Sequence, residues 1–369
     1  MKKYLLRIRN RVRRAKKPWS MVSRTADFLL TFFLHQGHKS EIKTAYKNYL
    51  DGRTTISKVD ELVIGSNFLS RGKLRNKIVH DAKLDFDLGI LANLDSVLPD
   101  FDIDKCVSEL QIDGFTRLPV TLPSKYVEEL LELASTSQVR PTKYAKIQGL
   151  QDKPNPKIDH IWDVPFATTI QSAACQLLIQ DKQLLSLAGK YLQANPIVLG
   201  SRLYWSLAHE NEEFLTAENW HVDAGDGLRF VKLFVALTDV TESNGPTGFI
   251  KGSHISLPRK FYSGRRFHPK EIDKRFRGKL MEATGTIGTI GTIYLADTRG
   301  LHRGTPVKQG CRLLLHFFYG TDFFGFARPT TFEMSSDVTF GDRYSGPLAR
   351  TFAAFRSDSP ADSSKIPGP

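Results

Sequence analysis

The chain has 369 residues, 41% hydrophobic and 25% charged, the balance of a globular protein rather than a disordered or fibrous one. Its three cysteines, Cys106, Cys175 and Cys311, are scattered without CxxC spacing. That argues against a disulfide scaffold and a cysteine-rich zinc site and favours reducing, cytoplasmic surroundings. The formal charge of +13 is unevenly placed: residues 1–25 hold ten Lys or Arg and no acid, leaving about +3 for the rest, so the body of the chain is not expected to bind nucleic acid.

The leader MKKYLLRIRNRVRRAKKPWS sets Leu5, Ile8 and Val12 at helical spacing among arginines until Pro18 breaks the pattern. Such a segment can lie on an anionic membrane surface, giving peripheral attachment. A transit peptide, a nucleic-acid arm and a solvated terminus remain open as alternatives. The apolar run Phe28 to Leu34 is too short to cross a bilayer. Residues 26–100 read as a helical, irregular extension.

From residue 101 the pattern sharpens into one domain reaching residue 349. LQIDGFTRLPV reads as a helix end, a turn at Asp113-Gly114 and a short strand, and Pro123-Ser124 opens the periodic helix KYVEELLELAS. Residues 139–166 are polar and proline-rich, which predicts a loop or lid, with His160, Trp162 and Asp163 as candidates to touch a substrate. One helix is predicted from about Ala167 to Leu192, its apolar face made by Leu177, Leu178, Leu184, Leu185 and Leu187. From Ile197 the texture turns to strands. IVLGSRLYWSL, GLRFVKLFVALTDV, GTIGTIYLAD and CRLLLHFFYG are β-rich runs without intervening helices, and Ser243-Asn244-Gly245-Pro246 makes a turn between two of them. This predicts a mainly β domain with flanking helices, a sandwich or barrel with its core at about 197–330. Residues 350–369, rich in Ser, Asp and Pro, predict a disordered tail.

Within the strand region, His221 and Asp223 sit one residue apart in an extended segment and so emerge on one face. His302 follows the strand TIYLAD at a rim where a third ligand can approach. Two imidazoles and a carboxylate, with no thiolate, are the donor set of non-haem iron(II) oxygenases and leave one face of the metal open. Arg312 alternates with Leu314 in an apolar strand, so a guanidinium faces the core and needs an anionic partner, which a ligand carboxylate would supply. Lys232, between Phe230 and Phe234, can point into the barrel as a charge contact to cosubstrate or substrate. Tyr204 and Thr305 are candidate hydrogen-bond partners of the same cosubstrate, and Arg299 and Arg303 flank the metal mouth. His254 is expected to fix a turn, and His316 to be a satisfied core residue. No HExxH, GxSxG or Walker loop occurs, and Gly285, Gly288 and Gly291 open a strand rather than a helix, which excludes a dinucleotide fingerprint.

The order DGFTRLPVTLP, a leucine-rich helix, WHVD, TDVTESNGPTGFIKGSH and TRGLHRG with a later arginine resembles the phytanoyl-CoA dioxygenase family over roughly residues 105–330. The resemblance implies a double-stranded β-helix (a cupin-like jelly-roll) and an oxidoreductase using iron(II), 2-oxoglutarate and O2. It also implies His221, Asp223 and His302 as iron ligands and Arg312 as the 2-oxoglutarate anchor. The expected activity is hydroxylation of an unactivated C–H bond in a small-molecule or lipid-like metabolite, with release of succinate and CO2. Desaturation and ring closure stay open. A competing class is a non-catalytic jelly-roll module with a relic metal site, recruited to membranes or nucleic acid by the leader.

Overall fold

The computed structural model describes residues 86–142, 149–209, 216–223, 229–258, 260–261, 266–276, 280–281, 286–321, 343–352 and 355. The leader, most of the 26–100 extension and residues 356–369 lie outside the described residues. The chain divides into two units, Met1–Lys83 with Pro258–Ser263 and Leu84–Leu257 with Gly264–Pro369, and the second holds every element named below.

Helix α1 (Ile103–Asp113) starts where the Asp102 carboxylate accepts from the Lys105 N–H. It stops at Gly114, whose φ of 88° lies in the left-handed region where glycine is not penalised. Cys106, Val107 and Leu110 form its buried face. The chain turns at once into strand β1 (Phe115–Thr121) and then helix α2 (Ser124–Thr136), as the sequence predicts. The predicted loop 139–166 contains two strands instead, β2 (Arg140–Pro141) and β3 (Ile161–Val164). β3 is only a few residues long, too short for periodicity to reveal.

The single helix predicted over 167–192 is three: α3 (Phe166–Thr169), α4 (Ala173–Ile179) and α5 (Lys182–Leu192). Two side chains cut it. Ser172 accepts from the Cys175 N–H, and Asp181 accepts from the Gln183 and Leu184 N–H groups, each competing with the backbone for a helix start. The leucines still face inward, except Leu177, which is exposed. Asp181 is itself buried, and its second oxygen takes bonds from Ser96 Oγ (2.7 Å) and Val97 N (2.8 Å). Leu91, Leu94 and Leu98 are also buried, and the unit that holds the strands takes in the chain from Leu84.

Strands β4 (Ile197–Leu207), β5 (Phe230–Ala236), β6 (Thr247–Ile250), β7 (Leu280–Met281), β8 (Thr292–Ala296), β9 (His302–Gly304) and β10 (Cys311–Gly320) complete the sheets, with α6 (Pro269–Phe276) before β7 and α7 (Gly346–Thr351) near the end. The described strands form a seven-stranded antiparallel sheet, β1-β8-β5-β10-β4-β3-β2, and a three-stranded one, β7-β6-β9. The smaller sheet packs on one face of the larger. Phe249 of β6 stacks on Phe115 of β1 at 5.1 Å, and Thr247 Oγ1 meets the Tyr294 hydroxyl of β8 at 3.1 Å. This is the expected jelly-roll. α7 runs past residue 350, and Phe352 and Phe355 are fully buried, so the predicted disordered tail cannot begin at 350. No helix among the described residues is long and apolar enough to cross a membrane.

The inner face of the large sheet is set by register. Arg312 lies opposite Ser206, Leu314 opposite Tyr204 and Ala236, and His316 opposite Arg202 and Phe234. Period-two alternation therefore lines this face with Arg312, His316, Tyr204, Lys232, Phe234 and Tyr294.

Candidate active site

The segment after the short helical turn Thr216–Glu218 pairs with β9: His221 N and His302 O, and His302 N and His221 O, are each 3.0 Å apart. This brings the two imidazoles together, their ring centres 4.3 Å apart. Asp223 follows with its N–H on the Thr298 carbonyl at 2.9 Å. One carboxylate oxygen lies 3.4 Å from His302 Nε2, the other 4.0 Å from His221 Nε2, and one ligand atom from each residue falls within 4.8 Å of the others. It is the one such group among the described residues.

The imidazoles are oriented for a metal. His221 Nδ1 is 2.8 Å from the Asn219 carbonyl and His302 Nδ1 is 3.0 Å from the Gly300 carbonyl. A carbonyl only accepts, so each Nδ1 carries the proton and each Nε2 keeps its lone pair. Burial, with the His302 imidazole beside it, pushes the His221 imidazole down to about 3, and burial also lowers His302. Both are neutral donors at neutral pH. Burial alone would raise the Asp223 carboxyl, but the Lys232 ammonium bonded to it holds it well below the usual carboxylate range. Two neutral imidazoles and one carboxylate fit iron(II).

Lys232 does point inward. Its ammonium, offered by the sequence to cosubstrate or substrate, is bonded to Asp223 Oδ2 at 2.7 Å. Arg312 is buried, with Nη2 on Ser206 Oγ at 3.1 Å, while its Nε and Nη1 have no hydrogen-bond partner among the described residues. A buried guanidinium with two unused donors is costly unless an anion completes it.

Tyr204 reaches the same interior, its hydroxyl 2.9 Å from His316 Nε2. His316 departs from the expected satisfied core residue. Its Nδ1 has no partner among the described residues, and burial, together with Arg202, Lys232 and Arg312, pushes its imidazole far down, keeping it neutral. Thr305 does not join the cluster: its hydroxyl and its N–H both donate to the Pro246 carbonyl, at 2.7 and 2.9 Å. With its proton committed, that hydroxyl cannot donate to a carboxylate. Trp162 is core, with Nε1 on the Asp159 carbonyl. Asp163 takes a bidentate pair from Arg202 at 2.5 and 3.1 Å, and His160 pairs with Asp159. His254 fixes a turn as expected, Nε2 on the Gln111 carbonyl. Arg303 lies over the Trp220 ring, whereas Arg299 pairs with the buried Asp297. The Asp297 partnership was missed, although an acid two residues before an arginine in Asp297-Thr298-Arg299 is the signal that could have shown it.

Residues 113–281 match the family model for phytanoyl-CoA dioxygenase (PhyH). The chain carries a PhyH domain. It is a 2-oxoglutarate-dependent non-haem iron oxygenase, and its cofactors are iron(II), 2-oxoglutarate and O2. No curated protein sequence matches it. Among solved structures, EctD from S. alaskensis is 21% identical, with 61% of this chain and 81% of that one covered and a TM-score of 0.43. HygX from Streptomyces hygroscopicus, solved with nickel, 2-oxoglutarate and hygromycin B, is 17% identical over 58% of this chain and 86% of that one, at 0.40. The carbocyclase SnoK from nogalamycin biosynthesis is 14% identical over 60% and 86%, at 0.45. The PhyH match ends at residue 281, before His302 and Arg312, so the third ligand and the arginine stand on the geometry above.

Proposed function

We propose that the PhyH domain hydroxylates an unactivated C–H bond of a small-molecule or lipid-like metabolite. In this reading His221, Asp223 and His302 hold iron(II), and Arg312 holds the distal carboxylate of 2-oxoglutarate. One observation carries it: two imidazole lone pairs and a carboxylate converge, and an inward guanidinium that reaches the His302 strand has two donors unused among the described residues. Bound iron and cosubstrate supply the oxidising power, spending O2 to convert 2-oxoglutarate to succinate and CO2 while the second oxygen atom goes to the substrate.

The chain's own residues do the rest. The Asn219 and Gly300 carbonyls hold the imidazoles in the ligating tautomer. Lys232 keeps the Asp223 carboxylate ionised and fixes one of its oxygens. Arg312, braced by Ser206, supplies charge-assisted hydrogen bonds to a dicarboxylate. Phe115, Phe234, Phe249, Leu314 and Tyr294 pack as an apolar interior that excludes water. The presence of Asp223 supports hydroxylation over halogenation, because a carboxylate stands where a halide would need to bind. The leader is proposed to attach the protein peripherally to anionic membrane. The test is turnover of iron-loaded protein with metabolite extracts. Substrate-dependent succinate, with a product heavier by one oxygen atom, is expected; succinate independent of any added compound would refute coupled hydroxylation.

A further inference from the structure

We infer that Arg299, locked to Asp297 within the turn Asp297–Gly300, is a positioning residue for the metal centre, acting through two backbone carbonyls of that turn. The inference rests on His221, Asp223 and His302 being the metal ligands.

Asp297 is fully buried and receives four donors. Its Oδ1 takes the Arg299 N–H at 3.0 Å and Arg299 Nε at 2.8 Å. Its Oδ2 takes Arg299 Nη2 and, from α5, the Tyr191 hydroxyl at 2.6 Å. The backbone bond from the carboxylate to its own i+2 N–H fixes the turn locally, and the Gly300 N–H closes it onto the Asp297 carbonyl at 3.0 Å. The far side is wedged. A Cβ on Gly300 would lie 2.7 Å from Ser253 Oγ and 2.9 Å from His254 N, and Ser253 Oγ itself accepts the Leu301 N–H at 2.8 Å.

This turn has two outputs, both to ligands. The Thr298 carbonyl accepts the Asp223 N–H at 2.9 Å, and the Gly300 carbonyl accepts the Nδ1–H of His302 at 3.0 Å. His302 in turn holds His221 through their paired backbone groups. The carboxylate ligand and one imidazole are thus aimed by a single turn, which places the third ligand through the second. A buried ion pair is a poor way to gain stability, since well-packed apolar residues of similar volume serve as well or better. Charge fixed at a turn that feeds two ligand segments gives geometric precision instead.

The test compares Arg299→Lys and the milder Tyr191→Phe with Asp181→Asn. The last weakens another buried carboxylate, one that ties residues 96 and 97 to α5 and touches no ligand. Full-length protein is loaded with cobalt(II), and affinity by chelator competition, the visible spectrum of the bound ion and the Tm are recorded. Arg299→Lys should lose about ten- to a hundredfold in metal affinity, the range for partners just outside the ligands, and its spectrum should shift. Tyr191→Phe should move the same way by less. Asp181→Asn should lower Tm with affinity and spectrum kept. A wild-type spectrum and affinity in Arg299→Lys, with only Tm reduced, overturns the proposal. Should that variant not fold, the same outcome in Tyr191→Phe overturns it. Failure of the unaltered protein to bind cobalt at all would instead sink the ligand assignment beneath it.

Discussion

Replacing Arg312 with Met separates what the guanidinium does for the fold from what it does for a ligand. Among the described residues only Nη2 has a hydrogen-bond partner, Ser206 Oγ, and Nε and Nη1 are buried without one. Each unsatisfied buried group costs about 1–3 kcal/mol, so removing them should leave the ligand-free protein as stable as before or more so. At roughly 2–4 °C per kcal/mol for a domain of this kind, Tm should hold or rise by a few degrees. Binding behaves oppositely. Breaking a buried charge-assisted pair from one side costs about 3–5 kcal/mol, which is a loss of roughly a hundredfold to a few thousandfold in affinity for 2-oxoglutarate. Calorimetric titration of the manganese(II) form with 2-oxoglutarate, beside thermal melts with and without it, reads both. Unchanged affinity would remove Arg312 from the cosubstrate site. A marked fall in ligand-free Tm would show that the guanidinium is already satisfied within the protein.

Anaerobic iron(II) and 2-oxoglutarate should give a visible charge-transfer band in the unaltered protein and none in His221→Ala, and a surviving band would dismiss His221 as a ligand. Thr305→Val should lose about 1 kcal/mol from its turn with cosubstrate affinity kept; a large loss of affinity would return Thr305 to the site. For the leader, each basic residue near an anionic surface contributes about 1 kcal/mol. Full-length protein should therefore co-sediment with anionic vesicles at low salt and a version starting near residue 26 should not, while equal sedimentation, or a preference for nucleic acid, would reject membrane attachment.

Much of the site was legible because strand chemistry is local. Residues two apart in an extended chain share a face, so His221 and Asp223 pair on paper, and alternation with Leu314 turns Arg312 inward. What escaped depends on partners far along the chain or on side chains curling back. β3 exists because Ile161–Val164 finds Leu203–Ser206 some forty residues on. Lys232 faces the right way by alternation, but its partner Asp223 could not be read from spacing. Arg299 reads as a rim residue unless the acid two before it is weighed as its partner, and its guanidinium does curl back to Asp297. Ser172 and Asp181 divided a helix whose leucine pattern runs through both breaks.

The two halves of the site belong to different sheets. The imidazoles and Asp223 gather around β9 of the small sheet, while Arg312 projects from β10 of the large one, its Nη2 3.6 Å from where a Cβ on Gly304 would sit. On the proposed reading a dicarboxylate would be held from both sheets, whose spacing here is set by contacts such as Phe249 on Phe115. A shift of one sheet against the other would then move the arginine relative to the metal ligands without altering either group of residues.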